Sequence, residues 1–160
     1  MIKMLRQAQP GDLTRIQELF YETVKTICHT DYTPDQIEAW ASSIHNTSKW
    51  LNKIKNQYFL VYTESDEILG FGSLELGHYI DLFYVHSQHQ RKGIGKQIYQ
   101  ALETEALRVQ TSPNSRTLSA HVSLTALPFF SFMGFTIEEE NTVRIGAVEL
   151  INYLMKKQLI

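Results

Sequence analysis

The segment from His86 to Leu102, HSQHQRKGIGKQIYQAL, decides how this chain folds. It follows an apolar run, Tyr79-Ile-Asp-Leu-Phe-Tyr-Val85. It opens a helix whose apolar residues Ile94, Ile98, Ala101, Leu102 and Val109 recur at helical spacing. A strand, a glycine-bearing turn and a helix start make an anion site. The first backbone N–H groups of the helix have no partner, and the helix dipole adds partial positive charge. Gly93 and Gly95 allow close approach to the backbone, and Arg91, Lys92 and Lys96 add charge around the turn. The ligand that suits this arrangement is a di- or triphosphate.

Spacing separates the known phosphate turns. A P-loop requires G-x-x-x-x-G-K-[ST]; Gly95-Lys96 fits, but Gln97 stands where Ser or Thr should bind magnesium, and Gln90 where the first glycine should be. A dinucleotide fingerprint requires G-x-G-x-x-G/A, and its third position is Ile98 here. What the residues do spell is Q-x-x-G-x-G, with Gln90, Gly93 and Gly95.

The 160 residues suit one domain with a full core, residues 1–160. With 43% hydrophobic and 20% charged residues the composition is that of an ordinary soluble protein. A net charge of −2 gives no global field favouring nucleic acid. The single cysteine, Cys28, excludes an internal disulfide and any multi-cysteine metal site. The opening MIKMLRQAQPGD carries no long apolar segment, which predicts neither signal peptide nor membrane span and a cytoplasmic location. His78, His86 and His89 lie near turns with no further ligand, so no metal site is expected.

Along the chain, Met1 to Gln7 reads as a strand. Asp12 is a candidate N-cap for a helix with Leu13, Ile16, Leu19, Phe20, Val24 and Ile27 on one face. Thr33-Pro34-Asp35-Gln36 starts a second helix with a capping box. Ser48 to Ile54 reads as a short third one. Strands follow at Tyr58–Tyr62, Ile68–Leu76 and Tyr79–His86, and after the central helix at Leu118–Val122. A helix over Leu124 to Met133 ends at Gly134. Phe135–Glu139 and Val148–Met155 close the chain around a turn at Ile145-Gly146. The principal order, βααβββαβαββ, predicts a mixed α/β sheet rather than regular βαβ alternation.

Q-x-x-G-x-G resembles the acetyl-CoA pyrophosphate loop of the GNAT superfamily of N-acetyltransferases. A second motif supports this. Many members end their core with N-x-x-A-x-x-F-Y-x-x-x-G-F, and Ala126, Phe129, Gly134 and Phe135 match, with Ser123 at the Asn position and Phe130 at the Tyr position. Ser-x-Thr-Ala-x-Pro-Phe-Phe is similar to a bacterial, YafP-type branch, as are Tyr32, Gln36, Trp40 and the stretch Val148 to Tyr153. The resemblance implies a central, mostly antiparallel mixed sheet with flanking helices, in which two parallel strands, ending at Val85 and Val122, splay apart. Backbone groups left open there would bind the pantetheine arm of acetyl-CoA, as an added strand would. It implies contacts from Phe83, Tyr84 and Val85, pyrophosphate binding by Gln90, Arg91, Lys92, Gly93, Ile94, Gly95 and Lys96, and contacts from Ser123, Phe129 and Phe130 to the arm.

The implied reaction is direct acetyl transfer to an amine of a small molecule or peptide. The acceptor must be held in line, deprotonated from a pKa near that of lysine, about 10, and the oxyanion stabilised, for which the Val85 N–H is the family's usual candidate. The thiolate is often protonated by the Tyr that is Phe130 here, and Tyr79, Tyr84 or Tyr32 are possible replacements. His121, Asp81 and Glu75 are base candidates on the central strands. Strand parity puts His121 with Ser123, and Asp81 with Tyr79, Phe83 and Val85. Packing alone is the competing reading for at least two of Phe129, Phe130, Phe132 and Phe135. Trp40, Tyr32, His29 and Trp50 either build an aromatic acceptor pocket or pack the N-terminal helices. A CoA-binding module without catalysis is the alternative function; a monomer and a homodimer are both compatible with the sequence.

Overall fold

A computed structural model describes residues 2–160, and Met1 lies outside them. The elements are β1 (Lys3–Gln7), α1 (Leu13–Ile27), α2 (Pro34–Ala41), α3 (Thr47–Asn56), β2 (Tyr58–Glu64), β3 (Glu67–Glu75), β4 (Tyr79–Val85), α4 (Ile94–Val109), β5 (Thr117–Ser123), α5 (Leu127–Phe132), β6 (Thr136–Ile145) and β7 (Val148–Gln158). The expected order is present, with the short third helix as α3. Seven strands form one sheet in the order β1-β2-β3-β4-β5-β7-β6. Among the described residues only β4 and β5 pair in parallel; the other neighbours are antiparallel.

The sheet has an apolar layer on each face. On one face α4 lays Ile94, Ile98, Leu102 and Ala106 over Leu69, Leu74, Ile80, Leu118, Ala120 and Met155. Each large aliphatic side chain buried there contributes about 1.5–3 kcal/mol. Gly72 on β3 lets the helix close in: a Cβ there would meet Ile98 at 2.7 Å and Leu102 at 3.2 Å. On the other face α1, α2 and α3 pack Ile16, Phe20, Val24, Ile37, Trp50 and Ile54 against Phe59, Val61 and Phe71. The capping box of α2 is as expected: Gln36 N donates to Thr33 Oγ1 at 3.2 Å and Thr33 N to Gln36 Oε1 at 2.9 Å.

Three local expectations are corrected. Asp12 stands at the N-cap position of α1, but its side chain makes no capping bond to the helix. Its carboxylate accepts two bonds from Arg6 of β1, at 2.8 and 3.0 Å, and one from Gln9 N at 2.8 Å. That forked pair is stronger than a neutral cap bond, and the Arg6 guanidinium holds the carboxyl below its usual range. The helix expected from Leu124 begins at Leu127, because Ser123 Oγ accepts from Ala126 N at 3.1 Å and bends the chain into a turn, with Pro128 in the first helical turn.

The third correction concerns parity on β4. Leu82 pairs with Ser73 but Ile80 pairs with Leu74, so Asp81 is an extra residue, a β-bulge. The bulge resets the alternation: Ile80 and Phe83 both meet the α4 layer, and Leu82 and Tyr84 meet the α1 layer. Asp81 therefore does not share a face with Phe83 and Val85. It points to α3, where Lys53 meets it in an ion pair. On β5 parity holds: Leu118, Ala120 and Val122 are buried under α4, which turns His121 and Ser123 to the opposite face.

Candidate active site

The site begins where the parallel pair ends. β4 and β5 are matched at Tyr79 with Ser119 and at Ile80 with Ala120, and beyond these positions the strands diverge. On the other edge of β4, His86 N donates to Leu69 O at 2.8 Å. His86 with Leu69 is thus a hydrogen-bonded antiparallel pair, and alternation makes Tyr84 with Phe71 another. The N–H and C=O groups of Phe83 and Val85 then point away from β3, into the gap. The Val85 carbonyl is met there by the Gln90 side chain, whose Nε2 donates to it at 2.6 Å.

At the wide end of the gap the chain turns into α4. Gly93 is its N-cap at φ +83°, a left-handed conformation that glycine adopts without strain. Arg91 also lies in that region, at φ +61°, which costs a non-glycine residue on the order of 1 kcal/mol and clusters at ligand sites. The helical ladder starts with Gln97 N donating to Gly93 O at 3.1 Å. The N–H groups of Ile94, Gly95 and Lys96 consequently face outward from the helix start.

A cavity of about 800 Å³ connects these parts. It passes through the sheet at the divergence. On the α4 face its wall is Phe83, Val85, Gly95, Phe129, Phe130 and Met133; on the α1 face it is Thr23, Ile27, Cys28, Trp40 and Tyr84. Phe129 stacks on Phe83 with centroids 5.2 Å apart, and Phe130 meets both edge-on at 5.6 Å. Burial pushes the Tyr84 phenol well above its ordinary value. Burial also pushes the Cys28 thiol up to about 11, so it is not a thiolate nucleophile at neutral pH.

Of the expected donor-site residues, Phe83, Tyr84, Val85, Gln90, Arg91, Gly93, Gly95, Lys96, Ser123, Phe129 and Phe130 line this cavity. Lys92 is exposed outside it, and the Ile94 side chain is buried in the core, leaving only its backbone N–H for a ligand. Two of the four phenylalanines, Phe130 and Phe135, are core residues, while Phe132 is 81% exposed at the rim. Trp40 lines the cavity; Trp50 is buried against Phe20 and Phe71 instead. The Tyr32 hydroxyl donates to Ile151 O at 3.0 Å and accepts from Leu124 N at 2.7 Å, tying the N-terminal helices to β7 and the β5–α5 turn.

Tyr79, Asp81, His121 and Glu75 do not line the cavity; they flank the vertex of the divergence on the α1 face. Asp81 and His121 are the first residues of their strands beyond the last matched positions. The Tyr79 hydroxyl lies 2.8 Å from His121 Nδ1. Burial and the nearby Asp81 hold the Tyr79 phenol above its ordinary value, against a smaller opposing effect of the His121 bond. Gln57 Nε2 donates to Asp81 at 2.8 Å and to Glu75 at 3.0 Å. Lys53 and Gln57 were not expected at the site. Lys53 is a basic residue at the end of a helix and Gln57 follows it, and no local spacing ties either to β4. No group of three or more potential metal ligands occurs among the described residues, and no described helix is long and apolar enough to cross a membrane.

Comparison with known proteins agrees with this geometry. Residues 28–157 match the acetyltransferase (GNAT) domain family. The N-acetyltransferase YafP of Escherichia coli strain K12 is 27% identical over 152 residues, covering 95% of this chain and 93% of that protein. A GCN5-related N-acetyltransferase (aminotransferase, class II) from Rhodopseudomonas palustris superposes with a TM-score of 0.91 at 29% identity, over 99% of this chain and 97% of that one. PaiA N-acetyltransferase from Thermoplasma acidophilum, solved with coenzyme A, superposes with a TM-score of 0.80 at 20% identity, over 99% of this chain and 100% of that one.

Proposed function

Because the chain belongs to the GNAT acetyltransferase family, we propose that it moves an acetyl group from acetyl-CoA to an amine by direct attack in a ternary complex. The observation that carries this reading is the cavity through the sheet, with a phosphate-binding turn at one end and open strand backbone along it. Acetyl-CoA is the co-substrate. Its pyrophosphate meets the N–H groups from Arg91 to Lys96 and the charges of Arg91 and Lys96. Its pantetheine arm lies in the gap against Phe83 and Val85, with Ser123, Phe129 and Phe130 beside it. The thioester then points toward the vertex. Residues 1–160 act as one cytoplasmic domain, as a monomer or homodimer.

Amine attack on the carbonyl carbon forms the C–N bond, and collapse of the tetrahedral intermediate breaks the C–S bond. The oxyanion donor is an open N–H of β4: Phe83 lies nearer the vertex, and Val85, which the resemblance implies, lies toward the phosphate end. Tyr79 and His121 stand at the vertex outside the cavity wall, so they carry the protons only where the thioester and the amine reach that vertex. With the His121 proton on Nδ1, Nε2 accepts the proton lost by the amine, Nδ1 passes its own to the Tyr79 oxygen, and Tyr79 gives its phenolic proton to the thiolate. The raised Tyr79 value favours this role, since the phenol stays protonated until released. Tyr79 thereby supplies the hydroxyl that Phe130 lacks. Asp81 and Glu75 share Gln57, and Asp81 is held by Lys53, so each would need to leave a partner before acting as base. The un-ionised Cys28 thiol supports direct transfer over an acyl-cysteine.

Calorimetric titration with acetyl-CoA, with ATP–magnesium as control, tests binding; release of the CoA thiol in the presence of amines tests transfer. Acetyl-CoA binding with amine-dependent thiol release is expected. Binding without release across a broad amine panel would leave the non-catalytic module, and no acetyl-CoA binding would overturn both readings.

A further inference from the structure

The α1-face chamber of the cavity has a composition of its own. Its wall, Thr23, Ile27, Cys28, Trp40 and Tyr84, carries no charged side chain, and the charged residues that line the cavity, Arg91 and Lys96, lie at the phosphate turn. The Cys28 thiol is neutral there. At the rim the exposed Asp31 accepts from Thr125 at 2.8 Å, and on α1, next to Thr23, Glu22 accepts from Ser87 beyond the end of β4. Thr23 stands apart. It is 6% exposed, yet its Oγ1 is buried without a hydrogen-bond partner. A buried hydroxyl left unpaired costs free energy, which a ligand group recovers once rotation about χ1 turns Oγ1, now closed to solvent, into the chamber.

Resting on acetyl transfer as the reaction, we infer that the acceptor is an amine carried on an uncharged, largely apolar or aromatic body, with a polar group that pairs with Thr23. Ile27 and Trp40 supply the apolar contact area, and the Trp40 ring offers an edge or face to an aromatic acceptor. A second ammonium held against this wall would be desolvated with no carboxylate on the wall to meet it, which selects against polyamines that do not reach the rim. Polyhydroxylated amines would leave most of their hydroxyls unpaired for the same reason. The apolar wall also favours the neutral form of the reacting amine, which is the form that attacks.

The test compares phenethylamine and phenylalanine amide with spermidine and glucosamine, by CoA thiol release at saturating acetyl-CoA. The first pair is expected to exceed the second by about tenfold or more in kcat/KM. Trp40→Ala should erase that preference. Thr23→Val, which keeps the shape and removes the hydroxyl, should raise the KM of phenylalanine amide by about three- to tenfold, with kcat little changed. Trp40→Leu, and the acetyl-CoA Kd of every variant, guard against misfolding. Preference for spermidine or glucosamine, or an unchanged preference in both Trp40 variants with intact acetyl-CoA binding, would overturn this inference while leaving acetyl transfer standing. Acetyl-CoA binding with no transfer to any of the four amines would remove the reading on which it rests.

Discussion

The two faces of the divergence between β4 and β5 are built in different ways. On the α4 face the proposed donor site draws on backbone beside its phenylalanine wall: the turn from Gln90 to Lys96, the start of α4 and the open edge of β4. On the α1 face the proposed acceptor chamber and the vertex beside it are built of side chains from α1, α2, α3, β4 and β5, brought together from distant parts of the chain. A backbone site requires a particular local conformation, and local conformation leaves a pattern in consecutive residues. A side-chain site needs only that its members converge, which leaves none.

Predictions that separate the faces run from large to small. Gly93→Trp places a ring in space that is otherwise open, in a left-handed position, over the N–H groups of the turn. It should weaken acetyl-CoA binding by ~100-fold or more in calorimetry, the equivalent of two lost charge-assisted bonds. An unchanged Kd would remove the turn from the donor site. His121→Ala should lower kcat by about 10²-fold at unchanged acetyl-CoA Kd, and Tyr79→Phe by about tenfold. Equal rates in both variants and the native protein would dissolve the proposed relay. Phe130→Tyr should leave the native rate within about twofold yet restore part of the rate lost in Tyr79→Phe. A large gain in the native background would mean that Tyr79 does not serve as the acid.

Smaller effects probe the supports. Lys53→Met leaves Asp81 on the α3 side with the Gln57 amide, and should cost about 1–3 kcal/mol in denaturant unfolding. A fall in kcat as large as that of His121→Ala would instead give Asp81 the role of base. The phenols of Tyr79, Tyr84 and Tyr99 and the Cys28 thiol are all raised, chiefly by burial. Above their ordinary values the unfolded chain releases these protons first, so stability present below about pH 9 is lost as pH rises. Tm should decline from about pH 9 upward; a level profile to about pH 11 would contradict this burial.

The same division explains what could be read from the residues. Gln90, Gly93 and Gly95 mark the turn, and Ala126, Phe129, Gly134 and Phe135 mark the β5–α5 unit that faces it, so the sheet was legible, and most residues proposed for the donor site line one cavity. The face of Asp81 did not follow, because a bulge leaves no mark in composition; it is visible only in the pairing with β3. The Tyr79–His121 contact required two strands whose separation in sequence is spanned by α4. Thr23 carries no mark in the sequence that separates it from the other polar residues of α1, and its unpaired hydroxyl is visible only in the packing. Trp40 and Trp50 are chemically alike, and packing alone sends one to the cavity and the other to the core.

The most direct test of a cavity shared by two ligands through one divergence is amide and indole NMR mapping with CoA, followed by phenethylamine. CoA should shift the backbone amides of Phe83, Val85 and Gly93 to Lys96, and the amine should then shift the Trp40 indole and the Thr23 amide. CoA shifts confined to residues outside the cavity, or amine shifts that leave Trp40 and Thr23 untouched, would contradict the account.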